Sequence, residues 1–266
     1  MIKARELLIY LAIRYNGDYD PMLNAIRKKE AVSEESVTEA LQSVHSATCT
    51  ILDDDYPPSF KQIYKPPLVL FYYGDWSLTF SVKNHIGVIG TRKPTEYGIR
   101  MSRQIVTELV ESGQVIVSGL ALGIDSIGHT TAIEKGGKTI AVLGSGIDMC
   151  YPVSNQKLYQ EICEHHLLIS EYPGKLPAHK EHFPIRNRLV AALSDVIFVA
   201  EAHERSGTLI TVSQALAQGK DIYCLPYPAD CKSVCNTLIK DGAYLVESAR
   251  DIIQSLHKSE TSNNLN

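Results

Sequence analysis

The 266-residue sequence lacks the long apolar runs and the cysteine density that mark two large classes of protein. No apolar stretch approaches the roughly 18 residues that a membrane span needs, and the first residues lack the pattern of a secretory signal. The six cysteines are too few for a disulfide scaffold in a chain of this length. We therefore expect a cytoplasmic protein that has no membrane partner.

Metal-binding patterns are missing as well. Only Cys231 and Cys235 are close in sequence, and no second cysteine or histidine pair follows at zinc-site spacing. The other cysteines lie inside apolar segments and are interpreted as buried thiols: Cys49, Cys150, Cys163 and Cys224. The sequence predicts neither a metal nor an organic cofactor.

Basic residues are not in excess, with 26 Lys and Arg against 30 Asp and Glu. Residues 1–60 carry six basic and ten acidic residues, which accounts for the whole net charge of −4. A balanced domain can still bind phosphates if its cations cluster on one surface. Whether the domain can bind phosphates therefore depends more on where its cations lie than on how many it has.

What the sequence does contain, from residue 85 onward, is a regular alternation of apolar and amphipathic segments. In residues 97–111, for example, Met101, Ile105 and Leu109 recur every four residues and predict a helix. Buried strands that alternate with such helices predict an α/β fold with a mainly parallel sheet covered on both faces. The predicted strands are 86–89, 115–117, 139–143, 167–169, 196–199 and 222–225.

The predicted domains follow one another along the chain. Residues 1–50 predict a small N-terminal helical domain, because apolar residues in this stretch fall at helical spacing. Residues 51–257 form the predicted sheet domain. It opens with prolines at positions 57 and 58, which end any helix, and continues with a strand over 68–73. Residues 258–266 are a polar tail that we expect to be disordered.

The loops after the predicted strands are rich in glycine, hydroxyl groups and arginine. Ligands of an open parallel sheet bind outside the carboxyl ends of its strands, where glycine loops and helix N-termini present amides to anions. The segment 172–188 adds four cations against one acid, and Arg92 and Arg205 lie in other loops. This combination predicts a crevice for a phosphate-bearing ligand such as a polynucleotide. The loops are 90–92, 118–125, 144–148, a long loop that ends with 182–188, and 201–208.

Two common nucleotide-binding motifs are absent. Gly144-Ser145-Gly146 lacks the third glycine of the G-x-G-x-x-G fingerprint. The string at 136–139 resembles part of a Walker A loop, but Ala132 stands at the first glycine position and Lys138 precedes a strand instead of following one. Neither NAD(P) nor ATP chemistry is expected.

Several segments resemble the signature runs of the DprA/Smf family of DNA-processing proteins. The resemblance covers roughly residues 50–255 and is carried by SGLALGID (118–125), HFPIRNRLVAA (182–192), EAHERSGTLIT (201–211), GTR (90–92), Tyr151-Pro152 and the proline-containing stretch 56–74. It implies an extended Rossmann-like, doubly wound fold. It also implies a non-catalytic protein that binds and protects incoming single-stranded DNA, forms a homodimer and loads RecA recombinase during natural transformation.

The resemblance and the loop chemistry together give the candidate DNA contacts. Many family members carry Lys where this chain has Val153, and Lys157 is a substitute four residues on. Tyr151 and Phe183 are the nearby aromatic residues on which a base could stack. The candidate contacts are Arg92, Ser118, Gly119, Gly123, Lys157, Arg186, Asn187, Arg188, Ser206, Gly207 and Thr208.

Local structural roles compete with ligand contact at several positions. For Arg92, Arg186 and Arg188 the alternative is a role as structural ion-pair partners. Asp125 is suited to cap a helix, His129 to pack or bond locally, and Asn187 to organise its loop. Glu201 is better suited to orient arginines by ion pairing than to catalyse a reaction. The stretch 231–236 lacks the glycine-bearing turn that is usual in the family, and no winged-helix module is expected after residue 257.

Two other functions remain as alternatives. One is a nucleotide phosphoribohydrolase similar to lysine-decarboxylase-like proteins, which carry P-G-G-x-G-T-x-x-E. Thr211 stands here at the position of that glutamate, and a threonine hydroxyl does not ionise near neutral pH. The other is a nucleotide-sensing scaffold, against which the number of arginines argues.

Overall fold

Strands and helices alternate along most of the chain in the computed structural model, which describes residues 2–80, 84–204, 206–231 and 233–263, with side chains as far as Leu256. The helices are α1 (Ala4–Arg14), α2 (Tyr19–Arg27), α3 (Glu34–Gln42), α4 (Pro58–Lys61), α5 (Glu96–Glu111), α6 (Ile124–Glu134), α7 (Gln156–His165), α8 (His182–Leu193), α9 (Gly207–Ala217), α10 (Val234–Lys240) and α11 (Ala249–Asn263). The strands are β1 (Ala47–Thr50), β2 (Val69–Gly74), β3 (His85–Gly90), β4 (Val115–Ser118), β5 (Thr139–Val142), β6 (Leu167–Ser170), β7 (Val196–Glu201), β8 (Asp221–Cys224) and β9 (Tyr244–Leu245). Short 3₁₀ helices cover Trp76–Phe80 and Val153–Asn155.

The chain forms two compact units that interleave along the sequence. Unit 1 comprises residues 1–80 and 142–186, and unit 2 comprises residues 81–141 and 187–266. The chain therefore passes from one unit to the other inside β5 and again inside α8. The predicted domains 1–50 and 51–257 follow chain order and do not describe this interleaving.

Unit 2 contains a parallel sheet with the strand order β5-β4-β3-β7-β8-β9. Each neighbouring pair in this order is parallel. Six predicted elements of this unit appear within one or two residues of their predicted bounds. They are the strands β3, β4, β5, β7 and β8 and the helix over 97–111. The predicted mainly parallel α/β fold is confirmed.

Both faces of the unit 2 sheet are buried, which explains why its strands are apolar without alternation. On one face, alternate residues such as Val88 and Phe198 pack in a cluster with Leu109 of α5 and Ile252 of α11. The intervening residues of the same strands are also buried, as Val199 shows. On this second face the Cys235 thiol of α10 donates to the Val199 carbonyl at 3.8 Å.

The strand order also places a switch point in unit 2. The chain runs outward through β3, β4 and β5 and then returns with β7 to the opposite side of β3. Loops that leave neighbouring strands in opposite directions open a crevice at the carboxyl edge of the sheet, where α/β proteins bind their ligands. We name residues 91–95, after β3, and 202–206, after β7, the switch-point loops.

Unit 1 contains the N-terminal helices and three antiparallel strands. Strand β2 pairs with β1 on one side and with β6 on the other, both antiparallel. Helices α1, α2 and α3 confirm the predicted helical stretch, but the helical part is shorter than residues 1–50 because β1 occupies Ala47–Thr50. The apolar residues Tyr56, Phe60 and Phe71 are fully buried in this unit.

The prolines at 57 and 58 act differently from the prediction. We expected them to end any helix, whereas Pro58 is the first residue of the one-turn helix α4. Proline fits the first turn of a helix, because its fixed φ suits the position and its missing N–H would have no helical partner there. Tyr56 before it donates its hydroxyl to the Pro67 carbonyl at 2.7 Å.

The cysteines are free thiols, as expected. Cys49, Cys150, Cys224 and Cys235 are buried, whereas Cys163, expected to be buried, is only half-buried. Burial raises the pKa of the Cys49 thiol to about 12 and that of the Cys163 thiol to about 11. These thiols are therefore protonated at neutral pH.

Helix α11 continues into the C-terminal stretch that we expected to be disordered. We expected a disordered tail over 258–266, but α11 extends through Asn263, and residues 264–266 lie outside the described residues. Within the described residues, no helix has the length and apolarity needed to cross a bilayer.

Candidate nucleic-acid interface

A buried carboxylate joins the two switch-point loops of unit 2. Glu201, at the end of β7, is 2% exposed. Its Oε2 accepts hydrogen bonds from the Thr95 backbone N–H and the Thr95 hydroxyl, both at 2.9 Å, and from the Tyr227 hydroxyl at 3.1 Å. Its backbone carbonyl accepts from the Thr91 N–H at 2.8 Å. Glu201 therefore fixes both ends of the loop that carries Arg92.

This arrangement differs from the expected role of Glu201. We expected the carboxylate to orient arginines, but its partners among the described residues are Thr95, Tyr227 and His203, whose Nε2 lies 3.4 Å from Oε1. Burial, and then the charge of Glu201, raise the pKa of the Tyr227 phenol, which stays a donor. A Cβ at Gly98 would lie 2.1 Å from Glu201 Oε2, so the first turn of α5 needs glycine beside this carboxylate.

Gly123 is required where the loop after β4 passes the loop after β3. Its φ is +76°, and a Cβ there would lie 2.3 Å from the Thr91 carbonyl oxygen and 2.9 Å from the Arg92 Cα. The Thr91 carbonyl accepts from the Ile124 N–H at 3.2 Å. The Arg92 side chain is exposed. Gly123 thus supports the backbone from which Arg92 projects, without a side chain of its own to contact a ligand.

The amides of the loop over 118–125 are bound inside the protein. Asp125 Oδ2 accepts from the Gly119 N–H at 3.2 Å and from the Ala121 N–H at 3.3 Å. Leu120 between them has a φ of +58°, so the two amides converge on the carboxylate as they do in anion-binding nests. The Ser118 hydroxyl is fully buried and donates to the Val88 carbonyl at 2.6 Å. Here the internal Asp125 takes the place that we expected for a phosphate.

The glycine loop over 144–148, in unit 1, is also satisfied internally. The N–H groups of Gly146, Ile147 and Asp148 donate to carbonyls of the segment 172–176 at 2.8–2.9 Å. A Cβ at Gly146 would lie 2.2 Å from the Gly174 carbonyl oxygen, which explains the glycine. This loop supports the neighbouring segment, and its glycines are explained by packing.

The segment 182–188 is helical, which corrects the expectation of an open loop. It forms the first two turns of α8, and Pro184 fits there because a first-turn residue needs no helical N–H partner. Arg186, expected in an open crevice, is 5% exposed and donates from Nη1 to the Val142 carbonyl at 2.5 Å. His182 stacks on Tyr172 at 4.0 Å, and its burial lowers the pKa of its imidazole.

Asn187 and Arg188 lie on the part of α8 that belongs to unit 2. Asn187 is buried and its Nδ2 lies 3.5 Å from the Gly207 carbonyl oxygen, which agrees with the alternative that it organises its surroundings. Arg188 is 5% exposed, and its backbone carbonyl accepts from Gln218 Nε2 at 3.1 Å. The Asn187 side chain therefore lies at the start of α9, whereas the Arg188 backbone contacts Gln218, the residue that follows α9.

The candidate residues Ser206, Gly207 and Thr208 lie at the N-terminus of α9, where the helix end is open. Ser206 is its N-cap and makes no capping hydrogen bond with its side chain. Gly207 is exposed, and a Cβ there would meet nothing within 4 Å, whereas Thr208 is buried. A helix start of this kind presents N–H groups and the positive end of the helix dipole to an anion. Arg205, just before it, lies outside the described residues.

Two candidate residues lie in unit 1. Lys157 is exposed in the first turn of α7, and Arg186 is the last residue of unit 1 before the chain enters unit 2. Tyr151 and Phe183 lie beside each other in the same unit, with ring centroids 5.7 Å apart. The remaining candidates belong to unit 2, where Arg92 lies against Gly123 and Asn187 against Gly207.

Sequence reasoning missed two residues that hold the site. Thr95 could have been found, because a threonine just before a helical segment is a favourable N-cap, and it accepts from the Gly98 N–H at 3.1 Å. Tyr227 carries no such signal, since only the fold brings it to Glu201. By contrast, His129 was assigned correctly to a local role, with Nδ1 2.6 Å from the Thr139 hydroxyl.

A parallel α/β unit with an open helix start at its switch point is an arrangement in which α/β proteins bind anions. Comparison with known proteins narrows the class of protein. The sequence model described as DNA recombination-mediator protein A matches residues 47–257. The chain belongs to this DprA/Smf family, as its motifs predicted.

Curated relatives show the same relationship over most of the chain. The DNA processing protein DprA of Bacillus subtilis (strain 168) is 40% identical over 211 residues, which cover 79% of this chain and 71% of the relative. DprA of Streptococcus pneumoniae (strain ATCC BAA-255 / R6) is 42% identical over 207 residues, which cover 77% and 72%.

Two solved structures are similar in fold and in sequence. The X-ray structure of DprA from Streptococcus pneumoniae matches with a TM-score of 0.79 and 31% identity, over 96% of this chain and 98% of that one. A structure of the Helicobacter pylori protein, which describes its unique single-stranded DNA binding mode, matches with a TM-score of 0.73 and 33% identity. The match covers 81% of this chain and 98% of that one.

Substitution of Glu201 tests its structural role. Glu201→Ala removes the acceptor of three donors on Thr95 and Tyr227, and we expect it to lower the free energy of unfolding by about 3 kcal/mol, since hydrogen bonds to charged groups contribute about 1.5–3 kcal/mol each. Glu201→Gln keeps an acceptor oxygen and should cost less than half as much. Urea unfolding followed by circular dichroism measures both. Equal stability of the alanine variant and the unsubstituted protein would contradict the role.

Proposed function

We propose that this protein binds single-stranded DNA in the cytoplasm, protects it without cleaving it, and passes it to RecA recombinase during natural transformation. The observation that carries the proposal is the similarity to the Helicobacter pylori protein, whose single-stranded DNA binding mode has been described and whose solved chain is covered to 98% by the match. The structure of the candidate site supports the same ligand chemistry.

The exposed candidates are suited to a phosphate backbone. Arg92 projects from a switch-point loop, Lys157 from the first turn of α7, and Gly207 opens the start of α9. Guanidinium, ammonium and helix N–H groups bind phosphate oxygens whatever the base. In this proposal these residues make the direct contacts, and Ser206, whose hydroxyl is buried, acts through its position as the N-cap of α9.

The buried candidates take part in the proposal by positioning the exposed ones. Arg186 and Arg188 are largely buried, Ser118 donates inside the sheet, and Asn187 lies against Gly207. Gly119 and Gly123 shape the loop that supports Arg92, and Thr208 packs in the first turn of α9. Each would affect DNA binding through geometry.

The proposal assigns no catalytic step to the site. The Glu201 carboxylate, at the end of a central strand, is buried under donors that hold it in place. Thr211 stands where phosphoribohydrolases of the lysine-decarboxylase-like type carry a glutamate, and it is buried in α9. A general acid or base has to reach the proton that it transfers, and both side chains are buried.

The salt dependence of binding tests the backbone contacts. Arg92→Ala should weaken single-stranded DNA binding and reduce the slope of log affinity against log salt by about 0.7, because one phosphate contact and its released counterion are lost. Arg103→Ala, which removes the same charge from an exposed position on α5, should leave the slope unchanged. Lys157→Ala with Lys28→Ala as control repeats the test in unit 1. Equal slopes for Arg92→Ala and Arg103→Ala would exclude Arg92 from the interface.

A homodimer through unit 2 is the second element of the proposal. Large apolar side chains are exposed along α9 and on the edge strand β9: Ile210, Leu216, Tyr244 and Leu245. Leu216→Glu should shift the protein toward monomer in sedimentation velocity at micromolar concentration, because it places a charge in an apolar contact. Tyr64→Glu, at an exposed tyrosine of unit 1, serves as the control. A monomer before any substitution would refute the dimer.

Recombinase loading is the third element and has its own assay. The protein should shorten the lag before RecA hydrolyses ATP on DNA that is already coated by single-strand-binding protein. Arg92→Ala should lengthen this lag again in proportion to its loss of DNA affinity. A lag unaffected by the unsubstituted protein would refute loading while leaving DNA binding intact.

A further inference from the structure

The two oxygens of the Glu201 carboxylate are satisfied unequally. Oε2 accepts the three hydrogen bonds from Thr95 and Tyr227, whereas Oε1 is buried and has no hydrogen-bond partner in the part of the chain that the structure describes. A buried ionised oxygen without a donor is costly, and a cation beside it lowers that cost. A positive charge next to Oε1 is therefore stabilising.

His203 is placed to supply this charge. Its Nε2 lies 3.4 Å from Glu201 Oε1, which is ion-pair distance, and its side chain is 53% exposed. Histidine changes its charge between about pH 5 and 8, and an exposed ring exchanges its proton with solvent. Protonation of His203 therefore turns this contact into an ion pair with a buried carboxylate.

The contact acts on the switch-point loop over 202–206. Ala202 at its start is buried, and its carbonyl accepts from the Val234 N–H at 3.3 Å. Ser206 at its end is the N-cap of α9, the helix start to which the proposed function assigns phosphate binding. His203 lies between these two residues, so its ion pair orders the stretch that leads into the helix start.

Glu201 connects the same contact to the other switch-point loop, residues 91–95. Its Oε2 holds the Thr95 N–H and hydroxyl at 2.9 Å, and its backbone carbonyl holds the Thr91 N–H at 2.8 Å. A carboxylate bound through both oxygens holds its partners more firmly than one bound through a single oxygen. Protonation of His203 thus steadies the group that anchors both loops.

The phenols on the elements packed around Glu201 do not titrate in this pH range. Tyr227 donates to Oε2, and burial raises the pKa of its phenol. Tyr97 of α5 lies edge-on to Tyr227, with centroids 5.0 Å apart, and burial raises its pKa as well. Both therefore stay protonated between pH 6 and pH 8. Glu204, which follows the histidine in the loop, is exposed.

The Cys235 thiol of α10 is a second group near Glu201 that a change of pH can affect. Its hydrogen bond with Cys224 lowers its pKa, while burial and the Glu201 charge oppose that shift. A thiolate here would place a negative charge near the carboxylate as the pH rises. Substitutions at His203 and Cys235 separate the two groups.

We propose that His203 is a positioning residue: its protonated imidazole pairs with Glu201 Oε1, orders the 202–206 loop and strengthens binding of single-stranded DNA at the α9 start. The proposal rests on the single-stranded DNA binding proposed above and gives it a pH dependence. A histidine gains its proton as the pH falls from 8 to 6, so DNA affinity rises over the same range.

Oligothymidylate binding at pH 6 and pH 8, at one salt concentration, tests the pH dependence. Between pH 8 and pH 6, the affinity of the unsubstituted protein should rise roughly 2- to 5-fold more than that of His203→Gln, the range expected for an ion pair with one exposed partner. His203→Arg, which keeps a cation at both pH values, should raise the affinity at pH 8 and flatten the profile.

Two variants serve as controls for the pH profile. His165→Gln removes another exposed histidine beside a glutamate, with Nε2 3.8 Å from Glu164 Oε2 in unit 1, and should keep the pH dependence of the unsubstituted protein. Cys235→Ala should keep it too. Loss of the pH dependence in Cys235→Ala but not in His203→Gln would assign it to the thiol and overturn the proposal.

A Glu201→Gln background separates positioning from direct contact with DNA. This substitution removes the carboxylate charge and keeps an acceptor oxygen for Thr95, so His203→Gln should cause no further change in pH dependence there. A bond between the imidazolium and a DNA phosphate would instead persist, and His203→Gln would then lower the salt slope at pH 6 by about 0.7. That result would overturn the positioning role.

Hydrogen exchange of the free protein keeps the test valid if Glu201→Gln lowers stability. At pH 6 the amides of 202–208 should exchange more slowly in the unsubstituted protein than in His203→Gln, because the ion pair orders the loop. At pH 8 the two proteins should exchange alike. Equal protection at pH 6 would contradict the ordering of the loop.

The outcomes separate the role of His203 from the proposed function. Equal pH dependence of oligothymidylate binding in the unsubstituted protein and His203→Gln would overturn the positioning role while single-stranded DNA binding stands. Failure of the unsubstituted protein to bind oligothymidylate at either pH would instead overturn the proposed function.

Discussion

The buried carboxylate of Glu201 is the interaction on which the candidate site of unit 2 depends. It lies at the end of a central strand, and it satisfies the first residues of α5 by accepting from the Thr95 N–H and hydroxyl. A buried charge is stable only when donors surround it, and this requirement fixes the positions of Thr95, Tyr227 and Gly98 together. The loop that carries Arg92 has both ends anchored as a result. An acidic residue thus organises a surface proposed to bind an acidic polymer.

A second constraint divides the glycine loops into two kinds. In the loops over 118–125 and 144–148, several amides already have acceptors within the same unit: those of Gly119 and Ala121 bond to the Asp125 carboxylate, and those of Gly146, Ile147 and Asp148 to carbonyls of 172–176. Their glycines serve close packing. At the start of α9, Gly207 has open space around it and Ser206 makes no side-chain cap. In the proposed function the helix start, Arg92 and Lys157 therefore bind the external anion, and the other loops provide the scaffold.

Sequence patterns predicted the sheet far better than the site. The strands of unit 2 are buried on both faces, so their continuous apolar runs marked them clearly, and the family motifs identified the loops. The conformation of 182–188 was mistaken, because a proline and several charged residues favour a loop by composition while a helix start accommodates them. Arg186 and Arg188 were expected in an open crevice, with structural ion pairing as the alternative, and both are largely buried. Only the fold shows that the Arg186 guanidinium lies against the Val142 carbonyl.

The passage of the chain between units inside β5 and α8 has a consequence for how the protein is made. Residues 1–80 belong with residues 142–186, and the first half of unit 2 is synthesised between them. Unit 1 cannot be complete on the ribosome until residue 186 has emerged, and by then only the segment 81–141 of unit 2 is available. The N-terminal helices and β1 must therefore wait through the synthesis of residues 51–166 for β6, the strand that completes the antiparallel sheet by pairing with β2. A chain with this topology cannot fold by completing one domain after another from the N-terminus.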